Sequence, residues 1–246
     1  MAIRRDCILW SGGKDSFLAY LLSRNESANA CIFVTFVPRR GFFRCHPLPI
    51  LQKHGSGLAV THEFIVIDEN SWLADYSRAF AFLKEYYGVV RVISGDILSS
   101  STLTSYWITG VPHFEIALEK WICLLQDLAI EFVTPLSGLY AEEIIDSIEL
   151  YQMRAVVTGL SNTWYAPNLL GRSLNRTLLK STSFYNNPAF DLCGERGEYH
   201  TTVMSFGDQT YCDLEPSGLG SLLLDGVWSL DWDRAWLDPP LKRHSV

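Results

Sequence analysis

Apolar and polar positions in the first half of the chain alternate between two periods. Residues 7–10, Cys-Ile-Leu-Trp, form a short apolar run that ends in glycines and reads as a strand. Residues 14–24 follow with Phe17, Leu18, Leu21 and Leu22 three and four apart, the spacing of one helical face. Residues 30–37 are rich in β-formers and close on Pro38-Arg39-Arg40-Gly41. A weaker helical pattern covers 48–59, a strand 64–67, a helix 72–87 and a strand 89–94. Short strands separated by helices predict a parallel sheet with helices on both faces.

The second half continues the alternation less regularly. Helices are predicted over 114–128 and 141–151, and strands over 131–133 and 155–158. From about Asn186 the character changes, with β-rich runs at 200–205, 210–214 and 226–232. The fold class expected is α/β, an open parallel sheet plus a smaller C-terminal α+β part. A boundary near 134–140 would separate a nucleotide-binding segment, 1–135, from an acceptor-substrate segment, 136–246. No internal repeat or low-complexity stretch interrupts the pattern.

Composition narrows the function classes. With 246 residues, 48% hydrophobic and 19% charged, the chain can bury a sizeable core. No apolar run approaches the ~20 residues of a membrane span, and residues 1–6 lack a signal-peptide pattern. The expected compartment is the cytoplasm, with no membrane partner. A net charge of −7 argues against a broad nucleic-acid footprint, which needs a basic face. An anionic small molecule would need a site built locally. Six scattered cysteines without a C-x-x-C pair exclude a disulfide framework and a structural zinc pattern, and read as buried thiols.

That local site is offered by Ser11-Gly12-Gly13-Lys14-Asp15-Ser16, between the first strand and the first helix. Two glycines allow a tight turn and close backbone approach. The helix start directs unpaired N–H groups and the positive dipole end at the loop. Ser11 and Ser16 add hydroxyls and Lys14 a full charge, which together suit phosphate or pyrophosphate. The spacing is not the Walker pattern, because Asp15 follows Lys14, and G-x-G-x-x-G is absent. Gly95-Asp96 ends another predicted strand, so it faces the same crevice. Asp15 and Asp96 are the candidate Mg²⁺ ligands, since that ion takes one or two carboxylates plus substrate phosphates.

The loop resembles the pyrophosphate loop of the N-type ATP pyrophosphatases, the adenine-nucleotide alpha-hydrolase superfamily. Three further segments resemble the diphthine–ammonia ligase family within it: His46-Pro47-Leu48-Pro49, Ser94-Gly95-Asp96-Ile97 and Gly194-Glu195-Arg196-Gly197-Glu198-Tyr199-His200-Thr201. Leu170-Gly171-Arg172 matches a smaller family element. The resemblance runs over residues 5–205 and implies a sheet of the adenine-nucleotide alpha-hydrolase type. It also implies cleavage of ATP between the alpha and beta phosphates, with ATP and Mg²⁺ held by Ser11, Gly12, Gly13, Lys14, Asp15, Ser16, Gly95 and Asp96. The family pattern departs at 98–113, a longer loop here without the matching Arg, where Glu119 is only an approximate counterpart. The Glu-Tyr-His-Thr ending is closer to bacterial-type relatives.

On this reading the chain is an AMP-forming ligase. It adenylates a carboxylate acceptor and converts it to an amide with ammonia or an amine. Lys14, Asp15, Glu195, Glu198 and His200 are the expected catalytic residues. Glu198 and His200 would share a face if their segment is extended, and could hold an amine and take its proton. His46, Arg172, Gly194, Gly197 and Tyr199 are assigned to the acceptor. A sulfur transferase acting on adenylated tRNA is the alternative, with Cys193 as its candidate nucleophile, and a non-catalytic nucleotide sensor is the third. A second copy of the chain is left open as a partner. His54, His62, His113 and His244 read as surface or satisfied polar groups. Trp228, Leu230 and Trp232 alternate after Asp225-Gly226, which predicts a hairpin strand. The spacing of Trp228, Trp232 and Trp236 also fits one helical face, packed in the core or against a subunit.

Overall fold

Eight of the first nine elements fall where the periodicity places them, within a few residues at their ends. The computed structural model describes residues 4–39, 45–68, 70–97, 118–224 and 226–232. In chain order come β1 (Arg5–Leu9), α1 (Lys14–Glu26), β2 (Ala30–Pro38), α2 (Leu48–Gly57), β3 (Thr61–Ile67), α3 (Trp72–Tyr87), β4 (Val89–Ile93), α4 (Leu118–Asp127) and β5 (Glu131–Val133). The remaining helix, α4, is expected from 114, but residues 114–117 lie outside the described ones. The five strands form one all-parallel sheet in the order β3-β2-β1-β4-β5. The order reverses between β1 and β4, which opens a crevice at their carboxyl ends. The loop after β1 and Gly95-Asp96 after β4 both lie there.

Strand alternation distributes the core over two faces. Cys7, Leu9, Ile32, Val34, Phe36 and Val92 pack on one side against Tyr76, Ala79, Phe80 and Leu83 of α3 and Leu125 of α4. On the other side Ile8, Trp10, Phe33 and Ile93 meet Phe17 and Leu18 of α1 and Ile50 and Leu51 of α2. Helix α3 stops at Gly88, whose left-handed φ of 70° lets its N–H return to the Lys84 carbonyl at 3.0 Å. Strand β4 starts at the next residue.

The rest of the chain adds α5 (Ala141–Leu150), β6 (Met153–Ser161), α6 (Arg176–Lys180), β7 (Tyr199–Phe206), β8 (Gln209–Thr210), β9 (Ser221–Leu224) and β10 (Val227–Leu230). Its strands form a second, antiparallel sheet in the order β8-β7-β6-β10-β9. Helices α1 and α2 contact this sheet as well as the first: Phe17 packs on Phe206 and Tyr211, and His54 on Tyr211. One hydrophobic cluster therefore draws on both segments, 1–135 and 136–246.

Several expectations are corrected in this half. Only Gln209 and Thr210 of the run 210–214 and its flank are strand, because the chain turns so that Tyr211 and Cys212 enter the core. The short α6 and β9 carry no periodic signal of their own. Trp228 and Leu230 do lie on a hairpin strand, paired with β9. Trp228 stacks on Tyr165 at 4.5 Å and donates to Asn162 Oδ1 at 3.0 Å, while Trp232 is 7% exposed in the core. The loop 98–113, His113, Trp236 and His244 lie outside the described residues, as does the side chain of Glu119. No helix among the described residues is long and apolar enough to cross a membrane. All six cysteines are free thiols, and four of them are buried.

Candidate functional site

The turn from β1 into α1 is set by backbone geometry. Gly12 has a φ of +72°, and a Cβ there would stand 2.8 Å from Leu51 Cδ1 and 3.0 Å from the His54 ring. Only glycine fits both demands. Beneath it, His54 is fully buried. Its Nε2 lies 2.7 Å from the Val203 carbonyl and its Nδ1 accepts from Trp10 Nε1 at 3.3 Å. That pattern is a neutral ring with the proton on Nε2. Burial pushes its pKa down to about 3, with the Val203 carbonyl opposing.

The loop is also sewn to the second sheet. Val203 N–H donates to the Gly12 carbonyl at 2.9 Å, and Lys14 N–H to Thr201 Oγ1 at 3.1 Å. Thr201 thus serves the helix start that N-cap Gly13, lacking a side chain, cannot. Ser16 Oγ donates to the Gly13 carbonyl at 3.0 Å, and Ser11 Oγ lies 3.3 Å from Ser16 Oγ. From the other strand, Gly95 abuts α1 so closely that a Cβ would lie 2.7 Å from the Asp15 carbonyl carbon. The missing side chain is what lets the two loops meet.

Lys14 is 2% exposed. Its Nζ donates to Asp15 Oδ2 at 2.7 Å and to the Cys193 carbonyl at 2.5 Å, and sits 5.3 Å from the centre of the Tyr199 ring. Among the described residues two of its three donors are engaged. Burial works against this ammonium, but Asp15 foremost, with Tyr199, Cys193 and Glu195, outweighs burial and raises its pKa above the usual lysine value. The ammonium form of Lys14 is therefore favoured. Burial also raises Asp15, with Lys14 opposing. Among the described residues, Asp15 Oδ1 is buried without a hydrogen-bond partner.

The late segment closes the same pocket, which is lined by Ser11, Gly13, Lys14, Asp15, Ser16, Gly95 and Asp96 from the first sheet. His46, Cys193, Gly194, Glu195, Gly197, Tyr199, His200 and Thr201 line it as well, with Leu9 at the end of β1. Asp96 Oδ2 accepts from Ser94 Oγ at 2.6 Å. Glu195 Oε2 accepts from Ile97 N–H at 3.2 Å. Burial, then the charges of Asp15 and Asp96, push the Glu195 carboxyl well above the usual range. His46 and His200 meet edge to face at 5.7 Å, and burial pushes both below the usual histidine value, His200 to about 4. Three carboxyl groups, of Asp15, Asp96 and Glu195, thus share a pocket with one lysine and two imidazoles held below the usual histidine pKa.

Three predicted site residues lie outside this lining: Gly12, which shapes the turn behind it, Glu198 and Arg172. Residues 194–198 form a turn rather than an extended strand, with Gly197 N–H donating to the Gly194 carbonyl at 3.0 Å. β7 begins only at Tyr199, so Glu198 and His200 do not share a face as strand neighbours. Glu198 is 1% exposed and turned into the loop, where its carboxylate accepts the N–H groups of Asp191 and Arg196, both at 3.0 Å. It braces the turn whose Cys193 carbonyl holds Lys14. Arg172 is exposed and lines a separate groove with Asn168, Ser173, Asn175 and Glu215. Its backbone follows β6, with Val157 N–H donating to its carbonyl at 2.9 Å, and this carries its side chain away from the pocket.

The sequence reading also overlooked Thr201 as a cap and His54 as the support under Gly12. Thr201 reaches Lys14 across 187 residues of chain, and His54 bridges Trp10 and Val203, 44 and 149 residues away; only the Thr201 position within a recognised segment hinted at a role. Among the described residues no group of three His, Cys, Asp or Glu is placed to hold a metal ion by itself. No protein-family model matches the chain, and no curated protein matches it significantly.

Proposed function

We propose that the chain is an AMP-forming ligase of the diphthine–ammonia ligase type, with ATP and a carboxylate acceptor as substrates and ammonia or an amine as nucleophile. The observation that carries this reading is the convergence of three distant segments on one pocket at the switch point of the parallel sheet. These are the glycine loop, Gly95-Asp96 and the Gly194–Thr201 turn. The adenine-nucleotide alpha-hydrolase type of sheet belongs to the same proposal.

In this reading the first turn of α1, the Ser11 and Ser16 hydroxyls and the Lys14 ammonium bind the beta and gamma phosphates. The acceptor carboxylate oxygen attacks the alpha phosphorus, the bond to the bridging oxygen breaks, and pyrophosphate leaves with the charge that Lys14 stabilises. The amine then displaces AMP from the acyl-adenylate, and the amide forms with loss of one proton. Glu195 and His200 line the pocket where that proton can be taken. Glu198 is assigned to bracing the turn rather than to the chemistry.

The donor set fits Mg²⁺. Asp15 Oδ1, buried and without a partner among the described residues, and the neighbouring Asp96 would supply hard oxygen ligands, and two carboxylates plus substrate phosphates are what this ion uses. When bound, the ion would neutralise phosphate charge beside the acidic groups of the pocket. Cys193 lines the pocket, but burial foremost pushes its thiol above the usual range and its Sγ rests 3.7 Å from the Ala141 carbonyl. That supports amide formation over thiolate chemistry.

The test is incubation with ATP, Mg²⁺, ammonium and a panel of carboxylic acids, with nucleotide products resolved. AMP and pyrophosphate are expected, and they disappear with EDTA. ADP and phosphate as the sole products, or binding without turnover across the panel, would reject the ligase. Loss of turnover in Cys193→Ser would favour sulfur transfer instead.

A further inference from the structure

Beside the pocket lies a buried polar cluster that phosphate binding does not use. Thr158 on β6 and Thr202 on β7 are both fully buried. Both hydroxyls donate to one acceptor, the Cys45 carbonyl, at 2.6 and 2.8 Å. A carbonyl oxygen has two lone pairs, so two hydroxyls saturate it. The threonine oxygens are 3.2 Å apart, held together by the acceptor they share.

This convergence depends on an irregularity in the ladder. β6 and β7 pair Val157 with Thr201 and Gly159 with His200, which leaves Thr158 as the extra residue of a bulge. Bulges redirect side chains and recur beside active sites. Gly159 then passes directly under Cys45, where a Cβ would lie 2.4 Å from Sγ. The Cys45 carbonyl belongs to the planar peptide unit that begins His46. Holding that oxygen therefore fixes the origin of the His46 side chain, which lines the pocket against His200.

We infer that Thr158 and Thr202 are positioning residues: their two hydroxyls clamp the Cys45 carbonyl and so place His46 against His200 as the acceptor-side wall of the pocket. The clamp acts on the β2–α2 connection from the second sheet, so it registers one sheet on the other at the site. Its effect on turnover rests on the ligase reading; the placement of His46 does not.

The test compares Thr158→Val/Thr202→Val with Thr158→Ser/Thr202→Ser in the full chain. Imidazole resonances are recorded by NMR, with His46 assigned by His46→Gln. The valine pair is expected to shift the His46 resonances and leave those of His62 in place, and the serine pair to restore them. Affinity for the Mg²⁺ complex of α,β-methylene ATP should be unchanged, because Lys14 is anchored through Thr201 and Cys193. With any acid that the wild type turns over, the valine pair should raise the KM for the acid and leave the KM for ATP as it was. Wild-type His46 resonances in the valine pair, even with a lowered melting temperature, would overturn the clamp, as would an equal rise in both KM values. If the wild type forms no AMP, the ligase reading alone falls, and the resonances still decide the clamp.

Discussion

Lys14 and Glu198 show how one residue's role follows from what its side chain touches. Lys14 is buried and paired with Asp15 and the Cys193 carbonyl, and in the proposed ligase it stabilises the departing charge. Lys14→Ala is expected to lower AMP formation by ~100–1000-fold, the usual effect of losing one preorganised donor. Its readout is the initial rate of AMP release at saturating ATP. Glu198 gives a different signature. Replacing it by alanine strands two backbone N–H groups, of Asp191 and Arg196, and should cost about 1–3 kcal/mol in urea unfolding. A catalytic Glu198 would instead lose turnover at unchanged stability. At this scale Lys14 was legible in the sequence, because the loop chemistry is local. Glu198 was not, because whether it faces ligand or backbone depends on the turn at 194–198.

At the scale of elements, the start of α1 is the joint that matters. Its capping acceptor, Thr201, comes from β7 rather than from the preceding loop. Thr201→Val should destabilise the protein by about 0.5–2 kcal/mol, the range for loss of an N-cap, as measured by chemical denaturation. The end of β4 is the second joint. Gly95→Ala puts a methyl against α1 backbone, which cannot move aside as a flexible side chain would. It should lower stability by ~1–3 kcal/mol, as overpacking does, and weaken nucleotide binding with it. Wild-type calorimetric affinity for a nucleotide analogue in Gly95→Ala would contradict the close approach. The strands of the parallel sheet could be read because they are apolar runs that enter the core. α6 and β9 could not, since α6 buries only Leu179 and all four residues of β9 are exposed.

Across the whole molecule, buried neutral histidines tie stability to pH. His54 keeps a pKa of about 3 in the fold, below the ~6.5 of an unfolded chain. Between those values the unfolded state binds more protons. The contribution of His54 is therefore complete above ~pH 6.5 and declines as pH falls towards 3, by about 1.4 kcal/mol per pH unit within the window. His200, at about 4, acts in the same sense over a narrower range. Glu195 acts in the opposite sense, because its raised folded pKa removes stability as pH rises through it. Urea midpoints should fall from about pH 7 to about pH 5, and His54→Gln should lose one proton's share of that slope. An unchanged slope in the variant would mean that His54 is not held neutral.

The chain's local patterns were enough for the parallel half of the fold, the glycine turn after β1 and its position at a strand's carboxyl end. These depend on nearest neighbours: side-chain period, glycine backbone freedom and the unpaired amides of a helix start. Tertiary structure alone decided that Glu198 turns inward, that Arg172 lies on another groove, and that His54, Thr201, Thr158 and Thr202 support the site. Each of those outcomes hangs on a hydrogen-bond partner or a packed ring far away in the chain. Such partners come within reach only once α1 and α2 are enclosed between two sheets, and no periodicity along the chain encodes that distance.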